Sequence, residues 1–171
     1  MSMIAAGQTR FDTPARLAIT VLLFAVLGLT GTAFAPDLGA LDLPELAIVV
    51  TVLAILGVRY TLGFARHKLG DIIIGAVTAL SAWFLIDTVS YHAGQAAFGF
   101  WCLTLATWAA AWLFVERLAH WHGLSPTAQK LVNLAIPLIF GATLLVLWQL
   151  VVVGAGIPQV LLPSPGAIGA R

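Results

Sequence analysis

Long stretches without a charged side chain constrain this sequence more than any other feature. The clearest is Ala96–Val115, twenty residues without a charge, which is the length a helix needs to cross the hydrocarbon core of a bilayer. Charged residues make up only 9% of the sequence and apolar residues 61%, with a mean hydropathy of +1.03. Because soluble domains carry roughly 25% charged residues, this composition excludes a soluble globular domain and, more firmly, a disordered chain.

We predict an all-α integral membrane protein with about five transmembrane helices, each a run of about 20 mostly apolar residues. The second run has only thirteen uncharged residues before Arg59. It reaches full length if the helix continues to Ala65 and Arg59 snorkels toward the interface. In the fifth, Pro137 lacks a backbone donor and predicts a kink or a local rearrangement. The predicted spans are Leu17–Ala35, Leu46–Ala65, Asp71–Ile86, Ala96–Val115 and Leu131–Val153.

Lysine and arginine residues collect on one side of this alternating five-span arrangement. Seven of the eight fall on the side of the N-terminus, and an excess of these residues marks the cytoplasmic face. We therefore predict a cytoplasmic N-terminus and a periplasmic C-terminus. The cytoplasmic residues are Arg10, Arg16, Arg59, Arg66, Lys68, Arg117 and Lys130, and the opposite side carries Asp37, Asp42, Glu45, Asp87, His92 and Arg171.

The first apolar stretch has a second interpretation as a cleaved signal peptide. Two arginines precede it, and Ala33-Phe34-Ala35 imitates the small-x-small cleavage pattern. The apolar stretch is longer than the usual 7–15 residues of a signal peptide, and Pro36 at the first mature position fits a peptidase poorly. These two features favour an uncleaved membrane anchor.

No catalytic, metal-binding or cofactor-binding site is predicted. The sequence contains no P-loop, no G-x-S-x-G elbow and no H-E-x-x-H helix, and its net charge of +1 offers no polybasic surface for nucleic acid. His120 and His122 flank Trp121, but histidines two apart on a helix point in different directions. We interpret them as interfacial residues and predict that the chain is not an enzyme.

Several polar residues in or near the spans receive a structural interpretation. Asp87 and His92 are candidates for a proton or substrate role, yet Asp87 lies at the edge of its span, where water or head groups solvate it. Glu116 and Arg117 are interpreted as an interfacial charge pair. Two further groups are interpreted as packing contacts between helices: the polar residues Asn133 and Gln149, and the small-residue pairs Gly28 and Thr32, Gly75 and Ala79, and Ala106 and Ala110.

The segment after the last span has the most specific pattern in the sequence. It contains Trp148-Gln149 at the end of the span, then Gly156-Ile157-Pro158 and Leu161-Leu162-Pro163-Ser164-Pro165. Three prolines favour extended backbone. Ser164 followed by Pro165 is a typical helix start, with serine as the N-cap and proline at the first helical position. We therefore expect an extended, poorly ordered tail over Gly154–Arg171 with at most one helical turn, beginning near Pro165.

This pattern, over about Ile136–Arg171, resembles the start of the inner-membrane permease of ATP-binding-cassette importers of the nitrate/sulfonate/taurine type. In that family a first membrane helix with an LW-x-L segment leads to (I/V)P-x-x-LLPSP and a periplasmic helix. Leu161–Pro165 is the most specific part of the match. The family's later membrane helices and its cytoplasmic coupling loop have no counterpart in this sequence.

The resemblance implies two parts, with 1–125 as an N-terminal membrane extension of four helices and 126–171 as the truncated start of a permease domain. It implies a piece of an importer for a small, anionic solute, located in the bacterial inner membrane and unable to transport alone. The implied partners are the lipid bilayer, a second permease subunit, a cytoplasmic ATPase and a periplasmic binding protein. Two alternatives remain open: a self-contained small subunit of a tripartite secondary transporter, and a structural or assembly subunit of a larger membrane complex.

Overall fold

Helices of transmembrane length dominate the structure, a computed structural model that describes residues 13–34, 37–62 and 68–169. Among these residues, six helices and one short antiparallel hairpin account for most of the chain. The elements are α1 Thr13–Thr30, β1 Thr32–Phe34, β2 Leu38–Gly39, α2 Pro44–Thr61, α3 Lys68–Tyr91, α4 Phe98–Ala119, α5 Pro126–Gly154 and α6 Pro165–Gly169.

Four helices of the described part, α2 to α5, are long and apolar enough to cross a membrane. Their surfaces carry many exposed large apolar side chains, including Ile55, Trp83 and Leu131. A soluble monomer rarely exposes so much contiguous apolar surface, whereas helices that face lipid are apolar all round. The prediction of a helical, multi-pass membrane protein is confirmed at this level.

The boundaries of the first two spans differ from the prediction. α1 ends at Thr30, and Thr32–Phe34 pairs with Leu38–Gly39 as a hairpin instead of continuing the helix toward Ala35, which lies outside the described residues. α2 ends at Thr61, where the Leu62 N–H donates to the Val58 carbonyl. The predicted extension of the helix to Ala65 falls on residues outside the described part of the chain. α2 gains its length at the start instead, where proline occupies the first helical turn.

The third and fifth helices are longer than their predicted spans. α3 continues past Ile86 to Tyr91, so that Asp87 lies inside the helix, with an exposed side chain. α5 begins at Pro126, where the Ser125 hydroxyl accepts a hydrogen bond from the Ala128 N–H at 3.3 Å. A serine N-cap before a proline is a strong helix start, and it adds five residues before Leu131. Pro137 lies inside α5, which continues to Gly154 without a break.

Helix α4 lies at the centre of the bundle and packs against α1, α3 and α5. Its contact with α1 depends on small residues, because a Cβ on Gly28 would lie 2.7 Å from the Leu103 side chain. Ala106 and Ala110 are fully buried in the same core. These three residues pack as the small-residue pattern predicts. Thr32, the partner expected for Gly28, lies in β1 instead.

One end of the bundle is closed by backbone hydrogen bonds between segments that are distant in sequence. The Ala97 N–H donates to the Ala33 carbonyl at 2.9 Å, which joins β1 to the start of α4. The N–H groups of Gly94 and Ala96 donate to the carbonyls of Val153 and Gly154 at 2.9 and 3.3 Å. We call this assembly, formed by the hairpin, residues 92–97 and the end of α5, the loop cap.

The segment after α5 folds into turns. Gly156 has a φ of +64°, and a Cβ there would lie 2.9 Å from the Cα of Gly94. The predicted extended tail is wrong in this respect, since the N–H groups of Leu161 and Leu162 both donate to the Pro158 carbonyl. The predicted helix start is confirmed: α6 begins at Pro165, and Ser164 Oγ accepts from the Ala167 N–H at 3.3 Å.

Candidate functional site

A carboxylate is buried at the end of the bundle opposite the loop cap. Asp71 lies in the first turn of α3 and is only 2% exposed. A buried charge is costly unless it is paired and hydrogen-bonded, so the neighbours of Asp71 show what keeps it there.

Donors from two other parts of the chain converge on this carboxylate. Arg117 Nε, near the end of α4, lies 2.8 Å from Asp71 Oδ1, and Nη2 lies 3.4 Å from Oδ2. Trp121 Nε1 donates to Oδ2 at 2.9 Å, and Tyr60 Oη, near the end of α2, donates to Oδ1 at 3.4 Å. We call these four residues the Asp71 cluster.

Local geometry explains how Trp121 reaches Asp71. α4 ends at Ala119, and the N–H groups of His120 and Trp121 donate to the carbonyls of Arg117 and Leu118. This tightened last turn keeps the indole beside the helix end, close to the guanidinium. Lys68 Nζ lies 5.9 Å from the centroid of the same indole, within the range of a cation–π contact.

The chemistry of the Asp71 cluster is that of a clamp. An ionised carboxylate accepts at about four lone-pair positions, and four donor atoms already occupy them. Within the described part of the chain, both carboxylate oxygens therefore already accept hydrogen bonds. The cluster joins the ends of α2 and α4 to the start of α3.

Sequence reasoning missed this cluster. Arg117 was expected to form an interfacial pair with Glu116, but it pairs with Asp71, and Glu116 instead lies 3.8 Å from His120 Nδ1. A signal was available: Asp71 is a carboxylate on the predicted side where basic residues collect. A carboxylate at the start of a membrane span, on the side where basic residues collect, is a candidate for an ion pair between helices.

The histidines near Trp121 have separate environments. The His120 Nδ1 atom lies 2.7 Å from the Glu116 carbonyl oxygen, and His122 is exposed. Within residues 13–34, 37–62 and 68–169, no group of three His, Cys, Asp or Glu residues is placed to hold a metal ion.

Asp87 and His92 are not brought together. The ring of His92 stacks on Phe34 of β1 with centroids 4.5 Å apart, and its Nδ1 lies 3.0 Å from the Thr88 carbonyl oxygen. The Asp87 side chain is exposed on α3. His92 therefore belongs to the packing of the loop cap.

The two polar residues of α5 make local contacts. Asn133 Oδ1 accepts from Gln129 Nε2 at 3.2 Å within α5 itself, so within the described residues its hydrogen bond is local and its predicted contact with another helix stays a prediction. Gln149 Oε1 accepts from the Gly166 N–H at 3.0 Å, which joins α5 to α6. Gln149 thus makes the kind of contact between helices that the sequence predicts.

An apolar groove of about 410 Å³ lies between α3, α4 and α5. Small side chains of α3 and α5 and three aromatic rings line it. Its lining toward the loop cap includes Ile86, Val146 and Leu150, which pack in the core there. A second cavity, of about 180 Å³, shares Trp108, Ala111 and Thr143 with it, so that α5 stands away from α4 along this stretch.

Most hydroxyl groups that line the groove are already used. Those of Thr104, Thr107 and Thr143 donate to backbone carbonyls four residues earlier. Thr78 Oγ1 is buried and, within the described part of the chain, has no hydrogen-bond partner. Within the described part of the chain, the groove is therefore an apolar site with one hydroxyl that lacks a partner. Its volume lies in the range of about 300–1,000 Å³ that is typical of small-ligand pockets.

No protein-family model, curated protein or solved structure matches this chain. The candidate sites are therefore the Asp71 cluster and the groove, which are defined by geometry alone.

Proposed function

We propose that this chain forms the N-terminal membrane part of a permease of an ATP-binding-cassette importer for a small, anionic solute. The observation that carries the proposal is the Leu161–Pro165 segment together with the helix that starts at Pro165. On this proposal residues 126–171 begin the permease domain, residues 1–125 extend it, and the chain does not transport alone.

The geometry of the segment supports the proposal because each part of the pattern has a structural role. Ser164 is buried and caps α6, and Pro165 occupies its first position. Gln149, the residue that follows Trp148 in the LW-x-L segment, accepts a hydrogen bond from Gly166. The two halves of the motif, seventeen residues apart, therefore contact one another.

Helix α5 has a face suited to further helices. Four of its large apolar side chains follow one another at spacings of three, four and seven residues, which places them on one face of the helix. All four are exposed. The centre of this stripe lies about 120° around the helix from the centre of the side that lines the groove, and the two sides adjoin at Ala142. A permease domain supplies helices that would cover the stripe. The stripe consists of Leu131, Leu134, Leu138 and Leu145.

The proposed topology has five spans, with the N-terminus in the cytoplasm and the C-terminus in the periplasm of a bacterial inner-membrane protein. α1 is counted as the first span: its 18 residues extend about 27 Å, close to the hydrocarbon thickness of a bilayer. The asymmetry of lysine and arginine supports this orientation.

Cysteine labelling in intact cells tests the topology. In a Cys102→Ala background, we expect Asp42→Cys to react with an impermeant maleimide and Lys68→Cys to react only after the membrane is permeabilised. This background is clean because Cys102 is the one cysteine of the sequence, so the introduced cysteine is the only one that can react. Equal reactivity of the two positions, or the reverse pattern, contradicts the orientation.

The partners of the proposed permease are a second permease subunit, a cytoplasmic ATPase and a periplasmic binding protein. Deleting the gene in its host is expected to abolish uptake of the anion class that the binding protein recognises, and the intact gene restores it. Sulfonates and nitrate are the first substrates to test. A tagged chain, extracted in mild detergent, is expected to elute with an ATPase that carries a P-loop.

Two outcomes contradict the proposal and favour its alternatives. If the tagged chain elutes with a large multi-span subunit and no ATPase, the chain is a small subunit of a tripartite secondary transporter. If uptake persists after deletion while another membrane complex fails to assemble, the chain has a structural role.

A further inference from the structure

We propose that the groove between α3, α4 and α5 binds one acyl chain of an anionic phospholipid, whose phosphate lies at Lys68. This site does not depend on the proposed transport function. It rests on the size of the groove, on the face of α3 that lines it, and on the charge at the end of that face.

The length and the lining of the groove suit a hydrocarbon chain. The part of α3 that lines it, Gly75–Ile86, extends about 16 Å. The volume of about 410 Å³ lies in the range of sites that hold a small ligand. The lining offers one hydroxyl without a partner in the described part of the chain, so its contacts with an occupant are almost entirely apolar.

The surroundings of the groove supply this occupant. The three helices that form it are each long and apolar enough to span a membrane, so the groove lies beside lipid tails and away from bulk water. Trp83 at its rim is exposed. An apolar cavity in this position is filled by hydrocarbon, because empty space forfeits the dispersion contacts of its lining.

One face of α3 continues from the groove to Lys68. Gly75, Ala79 and Ala82 line the groove, and Ile72 and Lys68 precede them at spacings of three and four residues, which keeps all five on one face. The ends of this row, Lys68 and Ala82, lie about 21 Å apart. This distance matches half of a bilayer including its head groups, about 20–22 Å.

Lys68 is suited to a phosphate. Its side chain is exposed, and within the described residues it makes no ion pair, since Arg117 already takes the carboxylate of Asp71. Its contact with the indole of Trp121 keeps the ammonium group near the interface, where tryptophan side chains prefer to lie. Among the described residues, the charged side chains at this end of the bundle are the basic Arg16, Arg59, Lys68, Arg117 and Lys130 and the acidic Asp71 and Glu116. Their net charge is positive, as an anionic lipid requires.

Photo-crosslinking tests the site directly. The full chain is reconstituted in phosphatidylcholine nanodiscs that contain a few mole per cent of phosphatidylglycerol with a diazirine in its acyl chain. We expect crosslinks to concentrate on Gly75–Ile86 and Ile139–Leu150, with phosphatidylglycerol labelling these segments more than a phosphatidylcholine carrying the same diazirine.

Matched variants separate the two halves of the proposal. Ala79→Trp fills the groove and is expected to remove most of this labelling, while Ile73→Trp, at an exposed position about 150° around the same helix from the side that lines the groove, leaves it unchanged. Ala142→Trp fills the groove from α5 and serves if Ala79→Trp fails to fold. Lys68→Gln is expected to lower labelling by phosphatidylglycerol about fivefold, while Lys130→Gln on α5, about 170° away from the groove, has no such effect.

Three results overturn the proposal. Labelling spread evenly over the exposed helices shows that the groove holds no particular chain. Equal labelling by phosphatidylglycerol and phosphatidylcholine, unchanged in Lys68→Gln, shows that the site does not select an anionic headgroup. Absence of lipid crosslinks from both segments shows that no lipid chain enters the groove.

Discussion

Arg117→Met is expected to lower the free energy of unfolding by about 3–5 kcal/mol, because it leaves the buried carboxylate of Asp71 without its cationic partner. Trp121 and Tyr60 continue to donate, but neither carries a charge. For a chain of this length the loss corresponds to a decrease of about 10 °C in Tm. Thermal unfolding of the purified protein in mild detergent, followed by circular dichroism, measures it.

Two further variants show whether the effect belongs to the ion pair. Asp87→Asn removes an exposed carboxylate from the same helix and is expected to change Tm little. The double variant Asp71→Leu with Arg117→Met removes both charges, and we expect it to be more stable than Arg117→Met alone. If the two substitutions destabilise additively, the carboxylate and the guanidinium are not coupled and the clamp does not exist.

Gly99→Ala is expected to destabilise the bundle by about 2–3 kcal/mol. A Cβ on Gly99 would lie 2.9 Å from the carbonyl oxygens of Gly31 and Thr32 and 3.0 Å from that of Gly28. These are backbone atoms, so relief requires that the end of α1 move away from α4. Hydrogen exchange is expected to rise at Ala97, whose N–H donates to Ala33 beside this contact, and Tm falls.

The matched control is a glycine in an open environment. Gly141 lies inside α5 with nothing within 4 Å of an added Cβ. Gly141→Ala is expected to leave Tm unchanged or raise it, because alanine has a helix propensity about 1 kcal/mol better than that of glycine. An equal loss of stability in both variants means that the close approach of α1 and α4 is not the cause.

The sequence predicts that the helices exist better than it predicts where they end. Apolar runs such as Ala96–Val115 identify α4 because no other structure satisfies so much backbone in lipid. The end of α1 was predicted wrongly because Thr32–Phe34 is as apolar as a last helical turn. Only its pairing with Leu38–Gly39 distinguishes the two, and hydropathy carries no information on that pairing.

The candidate sites were not predictable from the sequence for a related reason. Asp71 and Arg117 are 46 residues apart, and their contact depends on how α3 and α4 are rotated against one another. Nearly uniform apolar surfaces do not fix that rotation. Individual packing residues such as Gly75, against which the ring of Phe114 lies, fix it instead. The groove likewise arises from the distance between α4 and α5, which no short motif encodes.

Helix α5 is attached to the bundle at both ends and unsupported between them. Val132 is buried near its start, and Leu150 and Gly154 are buried at its end, where Gly94 and Ala96 bind its last carbonyls. Between these two supports lies Pro137, which cannot donate the hydrogen bond that stiffens the rest of the helix. α5 therefore bends most easily at Pro137, two residues before Ile139, which lines the groove. We expect any change in the width of the groove to appear as bending at this proline, while both ends of the helix keep their positions.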